Sequence, residues 1–343
     1  MHMADALVSP AVGGAVWAAT AAATLYCAKK VREEMDDRKV PLMGVLGAFI
    51  FAAQMLNFTI PAAGSSGHLG GGMILAILLG PYAAFIVMAS VLAVQALFFA
   101  DGGLLALGCN ILNLGFFPCF IGYPLIYKRV AGKTPSSGRI MAGAMISSIV
   151  GLQLGAFGVV LETVASGVSE LPFGTFVFLM LPIHLAIGVV EGLATAAVVT
   201  FVWREQPDIL LRAASGNQSG GASMKRVLAG LGLFALLAGG LLSWFASTNP
   251  DGLEWSIAKI TGKGEIEAKE DGVHAALKDI QKKTALLPDY GFKESGGEES
   301  EAKNNGFSPE AGTSAAGLVG GAVTLLLAAG FGWALKRRNQ PAA

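Results

Sequence analysis

The chain has 343 residues, 53% of them hydrophobic and 14% charged, with 24 basic residues balanced by 24 acidic ones. A soluble domain is about 45–50% apolar and about 25% charged, so this composition excludes an ordinary soluble fold. The zero net charge offers no support for a nucleic-acid binder. Forty-six Gly and a mean hydropathy of +0.59 suit closely packed membrane helices, and the expected fold class is an all-α integral membrane protein.

A membrane-spanning helix needs about 20 mostly apolar residues. The first apolar stretch, 9–27, precedes a polar run at 28–40 that holds five Lys and Arg. No basic residue lies before Lys29, which argues against a cleaved secretory signal with its positively charged start. The second stretch, 41–60, leads into PAAGSSGHLGGGM, a Gly-rich loop. The third, 70–98, is broken at Leu79-Gly80-Pro81-Tyr82, where Pro removes a backbone donor and favours a hinge. Stretches 104–127, 140–166 and 173–202 follow, with four basic residues in 128–139 and four in 203–226.

Short loops rich in Lys and Arg stay in the cytoplasm. That rule is satisfied throughout only if 70–98 forms two segments, one of them a short helix buried by neighbours. The expectation is a seven-segment core at 1–206, with an extracytoplasmic N-terminus in a prokaryotic plasma membrane. Residues 207–224, rich in Ser, Gly and Asn, read as a flexible linker. An appendage at 225–343 then has helices at 226–246 and 314–335 and a cytoplasmic C-terminus. Between them, 247–313 is extracytoplasmic, carries eight Lys and thirteen acids, and is expected to be solvated and dispensable for ligand capture. Within it 271–283 reads as a short helix and the stretch from 293 onward as mobile. The three Cys lie in apolar stretches without a metal-binding spacing and read as core residues.

His2 stands out among the four His by position. The Met1 α-amine, the His2 backbone nitrogen and the His2 imidazole can close fused chelate rings on one ion, and such planar nitrogen ligation favours Ni(II) or Cu(II). His68, in the Gly-rich loop, falls on the same side of the membrane. The bland readings are a frayed terminus and a surface turn. His184 and Glu191, seven residues apart on one helix face, read as a polar pair serving assembly or coupling, deeper than the loop. Glu162 reads as reaching the membrane interface. Buried amides at Gln54, Asn57, Gln95, Asn110 and Asn113 are candidates to hold the loop and the terminus. The chain contains no GxxxxGK[ST] phosphate loop, no GxSxG and no zinc-protease motif.

The opening MHMADALVSP, the loop GSSGHLGGG, the run QALFFADGGLLALGCNILNLG (95–115) and HLAIGVVEGLAT (184–195) together resemble the substrate-binding component of cobalt/nickel energy-coupling-factor transporters, the CbiM/NikM family. PDGLE at 250–254 resembles the accessory subunit of the same systems, here fused. The resemblance implies that Met1, His2 and His68 bind the ion. It also implies work with a CbiQ/NikQ-like coupling membrane subunit and CbiO/NikO-like cytoplasmic ATPases, with Ni2+ or Co2+ as transported substrate. Asp101 stands where cobalt-type members often carry His, which leans the reading towards nickel. Two other classes compete: a membrane enzyme using His184 and Glu191, and a stand-alone secondary transporter, for which internal repeats would be expected and none is found.

Overall fold

A computed structural model describes residues 2–34, 38–132, 135–210, 224–263, 266, 272–292 and 309–337. Helix α1 (Pro10–Glu34) opens on a Pro, whose missing N–H costs nothing at a helix start. It is followed by α2 (Lys39–Gln54), a two-stranded hairpin of β1 (Phe58–Ile60) and β2 (Ser65–Gly67), α3 (Gly72–Leu79) and α4 (Pro81–Phe98). Next come α5 (Leu107–Ala131), α6 (Ser137–Ser166) and α7 (Phe173–Glu205). The appendage contributes α8 (Lys225–Gly240), α9 (Gly252–Thr261), α10 (Gly272–Thr284) and α11 (Pro309–Arg337).

The chain is therefore an all-α integral membrane protein. Six of these helices are long and apolar enough to cross a bilayer. The expected break in 70–98 is present: Gly80 adopts φ 79° and Pro81 opens α4. Every residue of α3 is buried. At eight residues, about 12 Å by the helical rise, α3 is too short to span and is enclosed by protein. Large apolar side chains such as Leu25, Phe178 and Leu326 instead point outward, as lipid-facing residues do.

Three features depart from the expected boundaries. Helix α1 runs on through the basic stretch to Glu34, because Lys and Arg at a helix end are compatible with its dipole. In α5, residues Leu112–Tyr127 form a π-helix containing Pro118 and Pro124; the wider winding accommodates prolines that cannot supply the ordinary ladder bond. Residues 207–210 are helical, while 211–223 of the expected linker lies outside the described residues, as does 293–308. The expected helix at 271–283 is α10, and all three Cys are buried and free.

Helices α6 and α7 form the most extensive pair, and α11 lies along α2, with α8 beside both. The helix ends at Gln54, Gly72, Phe98 and Leu107 meet at one end of the bundle. The described residues of the appendage segment 247–291 close over that same end, as the hydrogen bonds below establish.

Candidate metal-binding site

The N-terminal segment threads into the bundle. Met3 and Val8 are fully buried and Leu7 nearly so. The Met3 N–H donates to Asn110 Oδ1 at 2.8 Å, while Asn110 Nδ2 and the Gly103 N–H donate to the Met3 carbonyl at 3.2 and 2.9 Å. One Asn side chain thus takes the place of a neighbouring strand. Asn113 donates to Glu162 at 2.7 Å, and Asp5 accepts from the Ala106 N–H at 3.0 Å. Met1 lies outside the described residues.

This threading sets His2 against the other candidates. Its Nδ1 is 3.0 Å from Asp101 Oδ1, and its ring stacks on His68 with centroids 5.0 Å apart and planes 17° from parallel. His2 Nε2 is buried without a hydrogen-bond partner. Asp101 in turn accepts from the Tyr290 hydroxyl of the appendage at 2.5 Å. Burial alone would raise the Asp101 carboxyl; the His2 imidazole and the Tyr290 hydroxyl overcome it and hold the group below its ordinary range. The Tyr290 phenol is pushed well above its usual value by burial and then by that carboxylate.

The His68 loop dips into the bundle. The N–H groups of Gly70 and Gly71 donate to the two oxygens of Glu191, at 2.9 and 3.0 Å, and Gln54 Nε2 donates to the Gly70 carbonyl at 2.8 Å. Gln95 Nε2 donates to Gln54 Oε1. Gly71 sits at φ 77°, which Gly adopts without strain, and a Cβ at Gly72 would meet the Leu114 carbonyl. His68 Nδ1 lies 3.0 Å from the Leu69 carbonyl, which can only accept, so Nδ1 carries the hydrogen. Burial holds this imidazole at about 3, far below its ordinary 6.5, so it is neutral and a competent nitrogen donor at neutral pH.

Two expectations are corrected here. His184 and Glu191 are not remote from the loop. Glu191 fastens it, and His184 lines one cavity with Gly67, His68, Gly70, Leu114, Leu152, Ile187, Asp251 and Gly252. The reason is the absence of side chains in the Gly run: the bare backbone packs between helices, where its N–H groups need a buried acceptor. Glu162, too, is buried against Asn113 rather than extended to an interface.

The appendage is also no bystander. Ser66 donates its N–H to the Pro250 carbonyl and its hydroxyl to the Asn249 carbonyl, both at 2.8 Å. The Ser247 N–H donates to the Asn57 carbonyl at 2.7 Å, so Asn57 ties the loop to the appendage rather than to the terminus. Gln281 Nε2 reaches the carbonyls of Ala96 and Gly102, and the Leu286, Leu287 and Asp289 N–H groups donate to Phe98 and Phe99. His274 bonds the Val8 carbonyl through Nε2. Three separate segments of the core are thus held by 247–291, which the even scatter of its charges did not disclose. Among the described residues no three His, Cys, Asp or Glu side chains converge as a metal cage.

A family model described as the cobalt uptake substrate-specific transmembrane region, CbiM, matches residues 2–209, and the PDGLE domain model matches 225–337. The chain belongs to the CbiM family. A protein of Archaeoglobus fulgidus bearing the name "Putative fused nickel transport protein NikMN" is 31% identical over 341 residues, 98% of each chain. The cobalt transport protein CbiM of Geobacter sulfurreducens is 30% identical, covering 69% of this chain and 70% of its own. A crystal structure titled as a transition metal transporter superposes with TM-score 0.54 at 30% identity, over 63% of this chain and 98% of that one. These CbiM relatives are metal transport proteins, not enzymes, and this chain is a multi-pass membrane protein of metal transport.

Proposed function

We propose that this CbiM-family chain is the substrate-capture subunit of an ATP-driven energy-coupling-factor importer for a divalent transition ion, nickel before cobalt. The observation that carries the reading is the stack of His2 on His68 at the point where the buried terminus meets the Gly-rich loop. In it the Met1 α-amine, the His2 backbone and imidazole nitrogens and the His68 imidazole supply a near-planar set of nitrogens, the ligation that favours Ni(II). Ring closure with the His2 backbone nitrogen uses Nδ1, so loading exchanges the Nδ1–Asp101 bond for a metal bond. Asn110 and Asn113 hold the terminus through Met3, as outer partners of metal ligands do, and Asp101 orients the His2 imidazole until the ion takes its place at Nδ1. The coupling membrane subunit and the ATPases are separate chains. The site end of the bundle faces the extracytoplasmic side on this reading, since Lys29, Lys30, Arg32, Lys128, Arg129, Arg139 and Arg204 sit at the opposite ends of α1, α5, α6 and α7. Nickel is favoured by the fused PDGLE domain, by Asp101, and by the end-to-end match to the A. fulgidus protein.

The test is nickel titration of the native chain beside one extended by two residues before Met1. The extension turns the α-amine into an amide and moves His2 from second place, so affinity should fall by about two orders of magnitude or more while the fold survives. A tag after Ala343 should change nothing. Equal affinities for native and extended chains would refute the chelate.

A further inference from the structure

We infer that His184 Nε2 is an inner transfer position on the path of the transition-metal ion, and that the Pro250-Asp251-Gly252 turn of the appendage is its stopper. This deepens the capture reading and rests on it.

His184 is 1% exposed. Its Nδ1 lies 2.8 Å from the Met180 carbonyl, and because a carbonyl only accepts, Nδ1 carries the hydrogen. Nε2 is then a lone pair, and it is buried with no hydrogen-bond partner. An imidazole tied through Nδ1–H to a backbone carbonyl with Nε2 unpaired is the arrangement that metal-ligating histidines adopt. A buried acceptor left without a partner is costly, so such a group calls for an occupant.

That lone pair faces a cavity, and the cavity wall includes His68. The imidazoles therefore form a series: His2 stacked on His68, and His68 sharing a cavity with His184. His68 and His184 both have Nδ1 engaged by a backbone carbonyl, which leaves Nε2 as the ligating atom of each. Leu114, Leu152 and Ile187 make the rest of the wall apolar, and Asp251 adds a carboxylate. Among the described residues no three His, Cys, Asp or Glu side chains converge as a cage there, which suits a station the ion passes through: it must bind well enough to enter and weakly enough to leave. The ion would move by ligand exchange, His184 Nε2 taking up the bond that a capture ligand releases.

The stopper follows from the PDGLE turn. The Pro250 carbonyl is pinned by Ser66 beside the His68 loop. Asp251 accepts from the N–H groups of Leu253 and Glu254, and Glu254 accepts from the Asp251 N–H, so a reciprocal cap starts α9 at this spot. Leu253 is buried, 3% exposed, and anchors the turn. Gly252 lies directly on His184: a Cβ there would stand 3.0 Å from Cε1 and 3.4 Å from Nε2. With Gly at 252 the turn closes on the imidazole without the few tenths of an ångström of displacement that a side chain would demand, and withdrawal of the turn opens the space in front of Nε2.

The test is nickel titration of the full chain carrying the two-residue N-terminal extension, in which the capture chelate is disabled. Residual binding should remain and should fall about tenfold or more in His184→Asn, whose amide keeps the bond to the Met180 carbonyl but has no atom at Nε2. Gly252→Ala in the same background should weaken it too, by crowding Nε2. Unchanged thermal unfolding of His184→Asn is the control for folding. Residual binding that is absent, or that survives His184→Asn intact, overturns the inner position. Should the extended chain bind as tightly as the native one, the capture chelate fails instead, and His184 is still judged by whether His184→Asn lowers that binding.

Discussion

The appendage attaches to the core in two ways, and the contrast between them is instructive. Its membrane helices α8 and α11 are held by shape. Gly239 and Gly317 bring their backbones into contact, and Gly44 and Gly47 of α2 admit Leu325, Thr324 and Ala328 of α11. This is the small-residue packing that lipid-embedded helices rely on where no hydrophobic driving force exists between them. Its extramembrane part is held by direction: Ser66 with Asn249 and Pro250, Gln281 with Ala96 and Gly102, and Tyr290 with Asp101. The first mode fixes where the appendage sits. The second reaches the His68 loop and the segment around Asp101.

The sharpest way to break the first mode is Gly317→Val. Its side chain would collide with the Gly239 carbonyl, so overpacking should cost about 1–3 kcal/mol in thermal or denaturant unfolding. The nickel affinity of the folded fraction should hardly move, because the two glycines meet each other and no residue of the His68 loop. An affinity loss larger than the stability loss would merge the two modes into one.

Glu191→Gln probes the fastening of the loop from inside the bundle. A Gln oxygen can accept one of the two Gly N–H groups, while its NH2 faces the other, so about 1–2 kcal/mol should be lost. Nickel affinity should fall about tenfold, and amide exchange at 69–71 should speed up. Unchanged exchange would mean that Glu191 does not hold the loop.

Tyr290→Phe tests the directional clasp by a single atom. Loss of the hydroxyl to Asp101 should cost about 1 kcal/mol and weaken nickel binding severalfold, with the ring stack on Phe99 retained. Identical affinity would reduce the clasp to packing.

The smallest effect concerns pH. Because burial depresses His68 to about 3, the unfolded chain binds a proton below pH 6.5 that the folded chain does not. This stability is complete well above pH 6.5 and is lost as pH falls through 6.5 towards 3. Between pH 7 and 6 the metal-free chain should lose about 0.7 kcal/mol on this account. His68→Ala should flatten that slope in unfolding measurements; an unaltered slope would mean that His68 does not titrate this way.

Hydropathy and charge placement alone marked the apolar helices and the hinge at Gly80-Pro81, because bilayer thickness and loop charge act on residues close together in the chain; the short helix α9 left no such mark. Position alone singled out His2, since a terminal amine and the next side chain are neighbours by covalent structure. What only the tertiary structure decided was who stands beside whom. Glu191 reads as deep by helix counting, yet it serves the loop, because a Gly-rich backbone can descend to meet it. Asp101 bonds both His2 and Tyr290, 189 residues away, and Pro250 bonds Ser66; neither pairing leaves a periodicity. Such contacts arise where loops and termini pack against one another at the helix ends, and no rule of spacing along the chain encodes them.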